Sequence, residues 1–327
     1  MCGPLGSRTA RCGLLPSRRE PVLLFRRRAL FRVGSTAVFA AVIVTAVAAC
    51  GDGRRARAGE SPLVDDLGDS IRLGPPAQRI VSLSPVTTEV IFALGAGARL
   101  VGRTHWDLYP DAARRVPDLG NGMQPNVEAI LGARPDLVVL YGSAANRNAA
   151  ILLRGAGIVT IAIRDDRIAD FPRTVQWLAM ALGDRALAAG VIDSVQRSLR
   201  AVRSRPRAAR PPTIFWHVWE SPLYTIGRGS FLDELVEAAG AVNVFHDLAA
   251  ASPTVTMEEI VRRNPDFVLA GAVGAATIRA SDAWQAVPAV RAGRILVVDT
   301  ALVGRPGIRM GEAAHHLRAL IVGDTVR

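Results

Sequence analysis

Residues 126–140 read NVEAILGARPDLVVL, and this stretch decides the fold. Asn126 is placed to N-cap a helix whose Val127, Ile130 and Leu131 share one face. Pro135 cannot continue that helix and biases Arg134 away from the α region. Leu137–Leu140 is an unbroken apolar run, as expected of a parallel strand covered on both faces. Residues 256–270, TMEEIVRRNPDFVLA, repeat the pattern 130 residues downstream without a gap. Glu128 matches Glu258, Ile130 matches Ile260, and Pro135-Asp136 matches Pro265-Asp266. Two copies of one helix–turn–strand unit imply two similar α/β lobes in one chain. Such a molecule makes its ligand cleft where the lobes meet.

Working outward, the expected fold is α/β. Each lobe carries a mostly parallel sheet flanked by helices, and one long rigid helix joins the two. The first lobe spans residues 62–183 and opens with a hairpin over Leu63–Leu73. A strand at Ile80–Leu83 follows, then a helix over Glu89–Leu94 capped by Thr87 or Thr88. Residues 184–210 form the linking helix and a Pro-rich connection. Leu187, Val191, Val195, Leu199 and Val202 recur there at three- and four-residue steps. The second lobe spans 211–327, with a strand at Thr213–Val218 and a helix N-capped by Ser230. A long helix between lobes predicts little hinge closure.

Upstream, Arg26-Arg27-Arg28 and Arg32 precede an apolar run from Ala37 to Ala49. A basic segment, a short apolar segment and small residues are the parts of an export signal, here residues 1–49. Val47-Ala48-Ala49-Cys50 resembles a lipobox, which makes Cys50 the expected lipidation site. Residues 50–61 then form a flexible tether. The net charge of +11 is concentrated in the leader, whose eight arginines stand against Glu20 alone. With no basic stripe interleaved with aromatics, nucleic-acid binding is excluded. Cys2 and Cys12 lie in the leader, so no disulfide or Cys-based metal site is expected in the mature chain.

Trp106, Tyr141, Trp216, Trp219 and Tyr224 all lie at or after strand ends. Ligands of open α/β sheets bind at those ends, so these aromatics are the candidate cleft lining. His217 is a candidate to orient the ligand. The five histidines show no metal-ligand spacing, and the chain has no nucleophile elbow, Walker loop, HExxH or CxxC. No catalytic residue, metal site or cofactor is assigned. Glu128 and Glu258 fall one on each lobe, as exposed charges and not as a catalytic dyad. An exported enzyme using the same cleft stays open as the competing class.

Arg79-Ile80-Val81-Ser82-Leu83-Ser84-Pro85, Val101-Gly102, Tyr109-Pro110 and Asn126-x-Glu128-x-Ile130…Pro135-Asp136, in that order, resemble the helical-backbone substrate-binding proteins of ABC importers. The resemblance runs from about Leu63 to the C-terminus. It implies a monomeric exported protein, periplasmic or on the cell surface, held to the membrane by a lipid anchor. It implies a permease dimer with its ATPase as partner, docked through Glu128 and Glu258. The ligand it implies is cobalamin, or alternatively a ferric siderophore or haem. Trp106, Tyr141 and the segment Trp216–Tyr224 match cleft positions of the cobalamin-binding branch. Asn121 and Ser252 stand near places where cobalamin binders can carry tryptophans. Arg103, Arg228 and Arg305 are the arginines suited to a ferric chelate.

Overall fold

A computed structural model describes residues 62–323, which fall within one compact unit, Gly59–Arg327. The export signal, Cys50 and the tether lie outside the described residues. The first lobe begins with the antiparallel pair β1 (Leu63–Val64) and β2 (Ser70–Ile71). Its main sheet comprises β3 (Ile80–Ser82), β4 (Leu100–Gly102), β5 (Leu137–Tyr141) and β6 (Val159–Ile163), all parallel, in the order β4-β3-β5-β6. The second lobe repeats this with β7 (Thr213–His217), β8 (Val242–Asn243), β9 (Phe267–Ala270) and β10 (Ile295–Val297), ordered β8-β7-β9-β10.

The helices that matter here are α1 (Pro85–Ala93), α2 (Val127–Gly132), α3 (Arg147–Gly155), α4 (Phe171–Ala181) and α5 (Ala186–Arg203) in the first half. In the second half they are α6 (Phe231–Ala238), α7 (Met257–Arg263), α8 (Ala272–Ala280), α9 (Pro288–Arg291), α10 (Thr300–Val303) and α11 (Met310–Val322). No helix among the described residues is long and apolar enough to cross a membrane.

The helix–turn–strand repeat is structural as well as textual. Asn126 Oδ1 accepts from the Ala129 N–H at 3.0 Å and starts α2. Thr256 and Glu259 form a reciprocal capping box and start α7. Both helices end in a left-handed residue before the proline, Arg134 at φ 48° and Asn264 at φ 45°. Proline disfavours the right-handed region for its predecessor, and at both positions the chain takes a positive φ instead. Asparagine takes that conformation readily; for arginine it costs about 1–2 kcal/mol. At Arg134 the cost is offset by Arg79, whose guanidinium donates to the Ala133 and Arg134 carbonyls at 2.7 and 2.8 Å. Next, Asp136 accepts from the Gln78 and Arg79 amides, and Asp266 from the Thr213 amide. Each aspartate thereby fastens its strand to the first strand of its own main sheet.

One expected cap moves. Helix α1 starts at Pro85, with Ser84 extended as its N-cap, because proline fixes the φ that the first helical position needs. Thr87 and Thr88 therefore lie inside the first turn. There Thr87 donates to the Ser84 carbonyl and Thr88 to Asp107.

The core explains the joint between lobes. A single apolar cluster includes Ile80 and Val139 of the first sheet, Phe171 and Leu178 of α4, and Val195, Leu199 and Val202 of α5. It continues without a break into Ile214 and Trp216 of the second sheet and Leu317 of α11. Two further clusters cover the outer sides of the lobes, one around Val138 and Leu153, the other around Phe215 and Trp284. Helix α5 is thus core to both lobes and not a surface connection.

Candidate functional site

Between the lobes lies a cleft of about 560 Å³. Its first-lobe wall is made at strand ends and the turn into α1: Ser84–Val86, Trp106, Tyr141, Asp165 and Asp166. Its second-lobe wall is made by Val218, Ile226, the start of α6 and the loop Gly304–Pro306. A smaller recess of about 180 Å³ shares Trp106 and Tyr141 and extends over Asn121 and Met123.

Trp106 stands on the loop after β4. Beneath it Asp107 is fully buried and accepts from Thr104 Oγ1 at 2.5 Å and Thr88 Oγ1 at 2.6 Å. Burial raises the pKa of that carboxyl, and the threonine bonds oppose the shift. The loop is thereby pinned to α1, while the Trp106 indole is 58% exposed at the cleft. Tyr141 ends β5 and donates from its hydroxyl to Asp166 Oδ1 at 2.5 Å. Burial, then that bond, pushes its pKa up.

The second-lobe aromatics go elsewhere. Trp216 is 4% exposed and packs in the central core. His217 is buried beside Trp284, its Nε2 2.7 Å from Glu220 Oε2. Glu220 Oε1 in turn accepts from Trp284 Nε1 at 3.1 Å. Strand β7 is covered on both faces, so its side chains are spent on packing. Trp219 is 63% exposed but lies outside the cleft wall, with its Nε1 on the Ser221 carbonyl. Tyr224 bridges Trp219 and Thr254 in short β pairings and likewise does not line the cleft. The cleft residues from this region are Val218 and Ile226.

Of the three arginines, Arg103 is buried and bonded to the Ala113 and Thr104 carbonyls, and Arg228 is exposed away from the cleft. Arg305 lines it. Asn121 and Ser252 do too, one in the recess and one in the cleft.

Two polar features have no local sequence signal. Glu89 of α1 is buried between lobes, with Oε1 3.3 Å from Arg309 and 3.9 Å from Arg305. Its Oε2 has no hydrogen-bond partner. Burial raises its pKa more than the two arginines lower it. Arg305 also donates to the Trp106 carbonyl at 3.3 Å, and the Arg309 guanidinium lies 4.0 Å over the Tyr109 ring. A separate interlobe contact joins Arg167 and the Ile168 amide to Glu234. Glu128 and Glu258 occupy the first turns of α2 and α7, exposed, and neither has a hydrogen bond or ion pair among the described residues.

Comparison with known proteins fits this architecture. A Bacillus subtilis protein described as an uncharacterized ABC transporter substrate-binding lipoprotein, YvrC, is 29% identical over 89% of this chain and 98% of its own length. A vitamin B12-binding protein of Vibrio cholerae is 24% identical over 74% of this chain and 88% of its own. Among solved structures, the periplasmic haem-binding protein BhuT, in complex with two haems, superposes with a TM-score of 0.68. It is 25% identical, over 75% of this chain and 98% of that one. The family model described as periplasmic binding protein matches residues 80–302. Since that match runs from β3 of the first lobe into α10 of the second, the chain belongs to the periplasmic binding protein family.

Proposed function

We propose that this protein is the extracytoplasmic substrate-binding component of an ABC importer, and that its cargo is cobalamin or a related corrinoid. The observation that carries the reading is the interlobe cleft, with the exposed Trp106 indole and Tyr141 on one wall and Val218 and Ile226 on the other. A bulky, partly planar cargo buries apolar faces against such walls at roughly 25 cal/mol per Å². A vitamin B12-binding relative and a lipoprotein relative of an ABC transporter support it. Homologues are transport proteins and not enzymes, which favours binding without turnover.

Glu128 and Glu258 are the proposed permease contacts. They are equivalent by the repeat, exposed, and free of internal partners, as charges reserved for another protein would be. Cys50 is the proposed lipid anchor.

Haem or a ferric siderophore is the second reading of the cargo, favoured by Arg305 in the cleft and by the haem-binding neighbour. The deciding experiment is a calorimetric and tryptophan-fluorescence titration of the full-length chain with cyanocobalamin. A saturable one-to-one site of submicromolar affinity supports the corrinoid. Absence of binding removes it and leaves the importer role to be tested with haem and ferric siderophores.

A further inference from the structure

After β6 the chain passes along the cleft through Arg164-Asp165-Asp166-Arg167. Asp165 is 8% exposed and lines the cleft, and its Oδ2 has no hydrogen-bond partner. Asp166, half-buried, lines the same wall and holds the Tyr141 hydroxyl. The neighbouring acids are all committed to the fold. Asp66 holds Arg173 and the Arg164 amide, Asp170 accepts from the Asp166 and Arg167 amides, and Glu234 holds Arg167. Arg164 reaches Asp166 only at 3.7 Å, with both side chains about half exposed, where an ion pair is weak.

The opposite wall does not supply a counter-charge. Val218, Ile226, Phe231 and Leu232 are apolar, and Ser230 and Ser252 offer hydroxyls. Arg305 is the one cation on the cleft wall among the described residues, and Glu89 and the Trp106 carbonyl already engage it. A buried carboxyl oxygen that lacks a partner, as Asp165 Oδ2 does, is costly unless something supplies one. The nearest space that protein does not fill is the cleft, which Asp165 borders.

We propose that Asp165 and Asp166 form an acceptor subsite of the cleft, taking amide or ammonium N–H groups of a neutral or cationic cargo and excluding cargo that presents carboxylates there. This rests on the cleft being the cargo site, as argued above, but not on the cargo being a corrinoid. A corrinoid with amide arms suits the subsite, as does a chelate with a free ammonium. The two carboxylates of haem do not.

The test is calorimetry on the full-length chain at pH 8, where the Asp165 carboxyl is ionised, with three probes: cyanocobalamin (neutral, amide-rich), ferrioxamine B (cationic through an ammonium) and haemin (two carboxylates). Wild type, Asp165→Asn and Asp166→Asn are compared, the last because a half-buried position tolerates the change if Asp165→Asn folds poorly. We expect cyanocobalamin or ferrioxamine B to bind at least tenfold more tightly than haemin. Each variant should weaken that tighter probe about tenfold and narrow its lead over haemin. Cyanocobalamin binding that is equal in all three proteins overturns the subsite and leaves the corrinoid reading intact. Ferrioxamine B binding that depends on Asp165, without corrinoid binding, removes the corrinoid and keeps the subsite. Haemin as the tightest probe, or no binding of any of the three, overturns it.

Discussion

Replacing Asp165 by asparagine gives a stability effect whose size follows from the structure. Burial, reinforced by the nearby carboxylates of Asp166, Asp170 and Asp66, pushes the Asp165 carboxyl up to about 7 from its ordinary 3.8. In the unfolded chain this group releases its proton near 3.8, whereas in the folded protein it keeps it to about 7. Between those values only the unfolded state is ionised, so folding stability falls as pH rises through the window and levels off above it. A gap of that width corresponds to about 4 kcal/mol. Asparagine cannot ionise and keeps one acceptor in place. It brings its own pH-independent packing cost, which cancels when the same variant is compared with wild type at two pH values. Urea unfolding at pH 4 and pH 8 is the assay. The stability of Asp165→Asn relative to wild type should improve by about 3–4 kcal/mol from the lower to the higher pH. Parallel stability curves for the two proteins would refute the reasoning, since they would mean Asp165 ionises normally in the folded state.

Further outcomes are expected. Trp106→Ala should weaken cargo binding at least tenfold, about 1.4 kcal/mol, in the same titration; unchanged affinity would return the indole to an ordinary surface role. Changing Glu128 and Glu258 together to alanine should leave cargo affinity unaltered in calorimetry while uptake in cells falls. Weakened binding of free cargo would end the docking assignment. Gly307→Ala places a Cβ 2.8 Å from Glu89 Oε2, so the interlobe ion pair must shift, and thermal unfolding should show a loss of about 1–3 kcal/mol. Leu199→Ala in α5 should cost about 2–5 kcal/mol in denaturant. Probes in either lobe should report one transition at the same midpoint, because the cluster it leaves is common to both.

The repeat was legible because it rests on local chemistry: a cap at Asn126, proline stops, and apolar runs long enough to declare buried strands. Trp106 and Tyr141 were legible as cleft residues because they sit where parallel strands end. The same rule misplaced Trp216 and His217. Both still lie within β7, and a strand covered on two sides gives no periodic hint of which side chains reach a cleft. Glu89, Arg305 and Arg309 were unreadable for another reason. Their meeting depends on segments more than two hundred residues apart, and a glutamate in α1 looks like any solvated helix charge. Asp165 is similar, since nothing in Arg-Asp-Asp-Arg shows which carboxylate loses its water.

The unbroken apolar cluster through α5 fixes more than stability. It ties together the two lobes on which α2 and α7, carrying Glu128 and Glu258, pack through Ile130 and Ile260 in the outer clusters. In the docking role proposed for these two residues, they act as the two pins of a plug cast in one piece. An empty molecule and a loaded one then fit the same socket, and empty protein competes with loaded protein for the permease. What tells the permease that cargo is present must come from the cargo itself or from the rim around it. The rate of import would therefore depend on the ratio of loaded to empty protein and not only on the amount loaded.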